Sequence, residues 1–256
     1  GKIVAANAAQ DFKKCSLELG GKNPTVVFSD CDIDLAVETA TKAAFLNQGQ
    51  ICLCGSRIFI ENSIYDLFKN RLLNSVKKLV VGDPREIKSN LGAVVSKEHL
   101  EKILLNVDLA KKSGGTILFG GHRIFLNGDL AGGYYMSPTI IEHTNYTDPI
   151  NQEEVFGPVV TIIPFNSEDE VIEMCNSTRF GLSGVIFSNN ISRAHRVANK
   201  IDSGLIWINS WLLRDLRVPF GGMKHSGLGR EGGRQSLDFF TETKNVCLKI
   251  EKGGNK

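Results

Sequence analysis

Four short stretches of this chain combine residue types that do chemistry with a backbone free enough to present them. The first, Phe45-Leu46-Asn47-Gln48-Gly49-Gln50-Ile51-Cys52, carries the end of a helical pattern into a loop rich in glycine and cysteine. A thiol placed there can be exposed and activated, because the thiolate is the nucleophilic form. The commoner role of a free cysteine is that of a small buried hydrophobe. The second, Leu17-Glu18-Leu19-Gly20-Gly21-Lys22, sets one carboxylate between apolar residues and glycines. Burial would raise its pKa toward neutrality and suit Glu18 to general base work. Taken alone, a surface glutamate before a turn is the simpler account. The third, Gln152-Glu153-Glu154-Val155-Phe156-Gly157-Pro158, puts two acids before an aromatic ring and a Gly-Pro turn. Acids are costly in such a setting unless they pair or bind something. They either accept hydrogen bonds from ribose hydroxyls or face solvent. The fourth, residues 219–231, is too glycine-rich for a helix. Long ordered loops of this kind are often functional, and otherwise are connectors. Cys52 and Cys54 form C-x-C, which without a second pair or nearby histidines is a poor zinc signature, and no metal is expected.

The elements that must position these stretches alternate in type, the pattern of an α/β domain. Residues 25–28 are apolar and β-branched and read as a strand. Asp32 opens a helical pattern running to about Gln48, with Leu35, Val37, Ala40 and Ala44 as expected buried positions. Residues 57–61 read as a strand. Residues 63–79 read as an amphipathic helix with Ile64, Leu67, Phe68, Leu72 and Val76 on one side, stopped by Gly82-Asp83-Pro84. Residues 96–113 read as a further helix ended by Gly114-Gly115. Residues 120–135 are glycine-rich and read as loop or hairpin. A buried strand is expected over 159–164. Ser167-Glu168-Asp169-Glu170 is a capping box, in which Ser and the Glu three residues on satisfy each other's backbone N–H, and it starts a helix to about Asn176. A strand over 184–188, a helix over 192–201 and a strand over 205–209 follow. Residues 245–250 alternate apolar and polar as an edge strand would. Only the tail, 252–256, reads as disordered.

Composition narrows the classes. The 256 residues carry 42% hydrophobic and 23% charged side chains, ordinary globular usage in a chain long enough for a large core. A net charge of +2 argues neither for nor against a nucleic-acid partner, but no Lys/Arg run is long enough to act as a phosphate-binding stripe, and no such partner is expected. No apolar run reaches the length of a membrane span, and residues 1–10 lack a signal pattern. The six cysteines are scattered, which argues against a disulfide framework and for a reducing, cytoplasmic setting.

Together and in this order the four stretches are far more specific than any one, and they resemble the aldehyde dehydrogenase superfamily over essentially the whole chain. The glutamate motif looks like residues 17–22, and the cysteine motif looks like Gly49-Gln50-Ile51-Cys52 followed by Gly55-Ser56-Arg57. The spacing from Glu18 to Cys52 (52 − 18 = 34) fits the family pattern, and Glu154–Pro158 and residues 219–231 complete the set. The resemblance implies an open twisted α/β catalytic domain over residues 20–242. Before it, residues 1–19 would be a remnant of a cofactor-binding domain that is largely missing, and after it residues 243–256 would form an oligomerisation strand and tail. It implies Cys52 as nucleophile, Glu18 as the base that activates water, Glu154 on the nicotinamide ribose, Phe156 beside the nicotinamide, and Glu231 as a second acid relaying protons. Cys54 is then a neighbour of the nucleophile. The cysteine's own N–H and an asparagine upstream of Gly1 would hold the oxyanion. NAD is the expected cofactor, with NADP open, and a small-molecule aldehyde the substrate. The full-length form is expected to be a homo-oligomer, dimer or tetramer. The chain alone is expected not to turn over. A Cys–His–Asn thiol hydrolase is the rival use of such a cysteine, but the five histidines give it no local motif.

The stretch Asn209-Ser210-Trp211-Leu212-Leu213-Arg214-Asp215-Leu216-Arg217-Val218-Pro219 occupies the region that lines the substrate funnel in the family. A guanidinium grips a carboxylate bidentately. Within the family the resemblance is to the 2-aminomuconate and 2-hydroxymuconate semialdehyde dehydrogenases, whose substrates carry a distal carboxylate. That favours Arg214 as the clamp, with Arg217 second and a surface pair bridged to Asp215 as the plain alternative. A broad aliphatic or retinal-type enzyme, or a non-catalytic assembly subunit, are the other functions that fit.

Overall fold

Apolar β-branched runs flanked by amphipathic helices bury both faces of a sheet. The computed structural model, which describes residues 1–250, shows this arrangement. Seven strands, β1 Asn23–Val27, β2 Gly55–Glu61, β3 Thr116–Phe119, β4 Thr139–Glu142, β5 Val159–Phe165, β6 Ser183–Phe187 and β7 Leu205–Ile208, form one sheet in the order β7-β6-β1-β2-β5-β4-β3. Every neighbouring pair is parallel except β3 with β4. The helices are α1 Lys2–Ala9, α2 Ile33–Phe45, α3 Tyr65–Val76, α4 Lys97–Lys112, α5 Pro149–Gln152, α6 Glu168–Asn176, α7 Ile191–Lys200 and α8 Gly233–Phe240.

Strand alternation divides the core between the two faces. Val27, Ile58, Ile60, Val160, Ile162, Val185 and Phe187 pack with α2 and α3. Their neighbours Val26, Phe59, Ile163, Phe165 and Ile186 point the other way, onto α6 and α7. A third cluster seats α4 on Ile141, Val155 and Val159.

Several sequence expectations need correcting. Leu35 and Leu67 are 41% and 49% exposed, because the buried stripes of α2 and α3 are centred on Ala36–Ala40–Ala44 and Phe68–Leu72–Val76 and leave these leucines on the flank. The helix after Asp32 stops at Phe45, followed by a left-handed turn. The capping box at Ser167 is half formed. Its Oγ accepts from the Glu170 N–H at 3.2 Å, but the Glu170 carboxylate accepts from Asn166 N–H at 2.6 Å, one residue earlier than the motif specifies. Residues 120–135 do form a hairpin, with Arg123–Ile124 antiparallel to Tyr135–Met136. Residues 241–250 form no strand, and Val246, Leu248 and Ile250 are at least 80% exposed: an edge strand needs a neighbour to pair with. The tail expectation for 252–256 lies outside the described residues. All six cysteines are free thiols. No helix among the described residues is long and apolar enough to cross a membrane.

Candidate active site

Three of the four chemical stretches lead into neighbouring strands of the sheet. Glu18 to Lys22 precede β1, Cys52 precedes β2, and Glu154 and Phe156 precede β5. Because β1, β2 and β5 are adjacent and parallel, their entering loops meet at one sheet end. The fourth stretch folds over them. Leu17–Glu18 pairs antiparallel with Gly227–Leu228, so the glycine-rich loop and the glutamate are held by the same hydrogen bonds.

Cys52 is half-buried. Burial pushes its thiol above the ordinary value, Glu18 and Glu154 push the same way, and its own backbone N–H and Arg214 pull down against them. The resting form is therefore the thiol, and its reaction needs a base. Among the described residues no other group accepts from the Cys52 backbone N–H, which leaves it free for an incoming oxygen. The Cys52 carbonyl is held by Asn23 Nδ2 at 2.8 Å, which also donates to Cys54 O at 2.9 Å, while Asn23 Oδ1 accepts from Ser183 N at 3.1 Å. Asn23 thus ties the Cys52 loop to β6. The sequence reading missed it, since one polar residue before a proline carries no periodic signal. Cys54 is 6% exposed and its thiol is pushed up to about 12 by burial, which makes it inert.

Both Glu18 carboxylate oxygens are shielded from solvent and have no hydrogen-bond partner. Burial raises the Glu18 pKa, Glu231 adds to this, and Arg230 and Arg214 oppose it. A carboxyl poised in this way, with open lone pairs and within electrostatic reach of the Cys52 thiol, suits general base work. Glu231 lies close enough to act on Glu18 electrostatically, and its backbone pairs with Phe220.

Glu154 accepts from the Gly21 N–H at 3.0 Å. A side chain on Gly20 would run into its carboxylate, so the glycine pair is the cradle that lets the acid approach the backbone. Phe156 has a left-handed backbone, φ 55°, and is 37% exposed as a residue. His99, near the start of α4, donates from Nε2 to the Phe156 carbonyl at 2.6 Å. This was also invisible in sequence, because 57 residues separate the two. His99→Ala should release the Phe156 turn. If the turn holds the cofactor, as the resemblance implies, KM for NAD+ should rise roughly 3- to 10-fold, the worth of one hydrogen bond, with kcat changed less; an unchanged KM would show that the turn holds without it.

The guanidinium of Arg214 stacks on Phe220, 4.3 Å from the ring centroid, and lies within electrostatic reach of both Cys52 and Glu18. It makes no ion pair among the described residues. Arg217 instead closes on Asp215 in solvent, with Nε to Oδ1 at 2.9 Å and its side chain 89% exposed. For Arg217 this is the surface pair with Asp215 given above as the plain alternative. No group of three or more His, Cys, Asp or Glu is placed to hold a metal ion among the described residues.

Comparison with known proteins decides the family. Residues 1–246 match the aldehyde dehydrogenase family. The chain belongs to that family. The 2-aminomuconic semialdehyde dehydrogenase of Danio rerio is 45% identical over 97% of this chain and 51% of its own length, and the 2-hydroxymuconic semialdehyde dehydrogenase of Pseudomonas sp. (strain CF600) is 43% identical over 98% and 51%. Among solved structures, a betaine aldehyde dehydrogenase from Staphylococcus aureus in complex with NAD+ superposes with TM-score 0.89 at 43% identity, covering 93% of this chain and 47% of that one. The NAD+ complex of an aldehyde dehydrogenase from Bacillus cereus gives TM-score 0.93 at 37% identity, covering 98% and 50%. The chain spans about half the length of the relatives it matches.

Proposed function

We propose that this chain carries the catalytic machinery of an NAD-dependent aldehyde dehydrogenase that oxidises a carboxylated aldehyde of the muconic semialdehyde class. The observation that carries the reading is the convergence of Cys52, Glu18 and Glu154 at one sheet end, each with its neighbours setting its charge.

The chemistry follows from what each group can do. Glu18 or a water beside it takes the Cys52 proton, and the sulfur attacks the aldehyde carbon to form a thiohemiacetal. The Cys52 N–H receives the developing oxyanion. Glu154, a carboxylate in a cradle of backbone, and Phe156, a half-exposed ring beside it, fit a nicotinamide riboside; the bound cofactor supplies the hydride acceptor. Loss of hydride leaves a thioester on Cys52. Glu18, once it has given up the thiol's proton to Glu231 or solvent, takes a proton from water, whose oxygen attacks the thioester carbonyl and releases the acid and the Cys52 thiolate. Glu231 is suited to pass that proton outward.

Arg214 supports the substrate class. Betaine aldehyde is a cation, whereas a muconic semialdehyde ends in a carboxylate, and an unpaired guanidinium near the thiol attracts the second and repels the first. Arg214→Ala is expected to raise KM for a carboxylated aldehyde by about 10- to 100-fold, the worth of a charge-assisted hydrogen bond, while a neutral aldehyde changes little. Equal effects on the two would discard the clamp. Purified chain mixed with NAD+ and 2-hydroxymuconate semialdehyde tests the whole reading. NADH absorbance that rises only when Cys52 is intact supports it. No rise from the chain, and none after fusion to the remaining half of the Danio rerio relative, overturns it. Assembly as a cytoplasmic homo-oligomer through residues 243–250 is part of the same proposal, favoured by their row of exposed Val246, Leu248 and Ile250.

A further inference from the structure

The turn leading to Cys52 has an unusual backbone. Asn47, Gln48 and Gly49 follow one another at φ 52°, 57° and 69°. Glycine takes such values freely, but L side chains disfavour them, and two in succession persist only where the surroundings over-determine them. Gly49 is required for a second reason: a side chain there would run into the carbonyl of Gly157, so the turn lies directly on the loop that follows Phe156.

What holds the turn is the side chain of Gln48. Its Oε1 accepts from the Gly92 N–H at 3.0 Å, and its Nε2 donates to the Ala93 carbonyl at 3.3 Å. One side-chain amide thus mimics a rung of sheet, using both its donor and its acceptor on adjacent backbone groups 44 and 45 residues away. Asn47 contributes locally: its carbonyl accepts from the Gln50 N–H at 2.9 Å and its Nδ2 donates to the Gln50 carbonyl at 3.1 Å. Downstream, Asn23 fixes the Cys52 carbonyl. The nucleophile is therefore bracketed, by Asn23 on its own carbonyl and by the Gln48 clamp on the turn before it.

We propose that Gln48 is a positioning residue for Cys52: its amide, clamped on Gly92 and Ala93, holds the left-handed turn that aims the thiol. The proposal rests on Cys52 being the nucleophile, so its test separates the two. Exchange of the Gln50 amide reports the turn, and exchange of the Gly92 amide reports the clamp, both without catalysis. The burst of nitrophenolate from p-nitrophenyl acetate reports the thiol without any hydride acceptor. There the sulfur forms a bond to the acetyl carbon, the C–O bond to nitrophenolate breaks, and the thiol proton passes to base or water.

In Gln48→Ala, Gly92 and Gln50 are expected to exchange at least roughly tenfold faster, and the Cys52-dependent burst rate constant to fall roughly ten- to a hundredfold, the effect of misplacing a reacting atom. Gln48→Glu, which keeps the acceptor for Gly92 and loses the donor to Ala93, should lie between. Gln48→Met keeps the length and serves where alanine perturbs folding. Unchanged Gln50 exchange in Gln48→Ala and Gln48→Met overturns the proposal, as does a burst at the wild-type rate. A wild-type chain with no burst counts against Cys52 as nucleophile; Gln50 exchange then still decides whether Gln48 holds the turn.

Discussion

In the chain fused to the remaining half of a relative, Cys52→Ala is expected to abolish aldehyde oxidation, with a loss of about 10⁴-fold or more in kcat, the scale of removing a covalent nucleophile, and in the chain alone it is expected to abolish the ester burst. Neither of the two buried thiols can take its place. Cys54, two residues on, is buried, its sulfur faces the Leu46 carbonyl at 4.0 Å, and its thiol is pushed up to about 12. Cys175 is buried on the far face of the sheet and is also pushed up to about 12. The substitution should leave the fold intact, because the half-buried Cys52 side chain bonds nothing beyond its own residue and the loop is held through its backbone by Asn23. NADH formation and nitrophenolate release, measured on one preparation with its unfolding midpoint, check this. A residual rate within tenfold of the wild type would remove Cys52 from the mechanism. The raised Cys52 pKa adds a sign: acylation should quicken as pH rises toward that pKa. Removing Arg214, which pulls it down, should move the acylation limb to higher pH.

The sequence carried the candidate catalytic groups better than the scaffold around them, and the reason is physical. Cys52, Glu18 and Glu154 sit in short glycine-bearing segments whose residue types are themselves the signal. The helix starts at Asp32, Ser96 and Ser167 were legible too, since a cap is a local hydrogen bond between residues two or three apart. Leu35 and Leu67 were misplaced because a period fixes the width of an apolar stripe but not its centre when leucines flank it. The clamp of Gln48 on Gly92 and Ala93, the tie of Asn23 to Cys52 and Ser183, and the bond from His99 to Phe156 were not legible at all. Each joins residues 29 to 160 positions apart through a common side chain. Nothing in composition or spacing distinguishes such a Gln, Asn or His from a solvated one. Arg214 and Arg217 make the same point in pairs: the sequence offers two arginines beside one aspartate, and only packing assigns Arg217 to Asp215 and Arg214 to the face of Phe220.

Glu18→Gln is expected to separate the two halves of the reaction. Attack by Cys52 and the first release of nitrophenolate should survive in part, because water can take the thiol proton. Hydrolysis of the acyl-enzyme should fall by about 10²- to 10⁴-fold, the usual worth of a general base. A burst of one equivalent followed by a flat trace is the diagnostic result, and undiminished steady-state turnover would dismiss Glu18 as the base. The pH profile carries the same information. The active form is the carboxylate, and burial and Glu231 raise its pKa. The wild-type deacylation rate should therefore fall as pH drops through a value above the ordinary carboxylate range, and Glu18→Gln should lack that limb. The pKa shift also fixes the cost to the fold. Native Glu18 holds its proton to higher pH than the unfolded chain does, so between the two pKa values the native state binds more protons and stability declines as pH rises. Glutamine removes that decline. The unfolding midpoint of Glu18→Gln should gain on the wild type as pH is raised from the ordinary glutamate pKa, about 4, through the raised native value. A variant that hydrolyses no acyl-enzyme yet grows relatively more stable at neutral pH would mark Glu18 as a residue held against the preference of the fold for the sake of its chemistry.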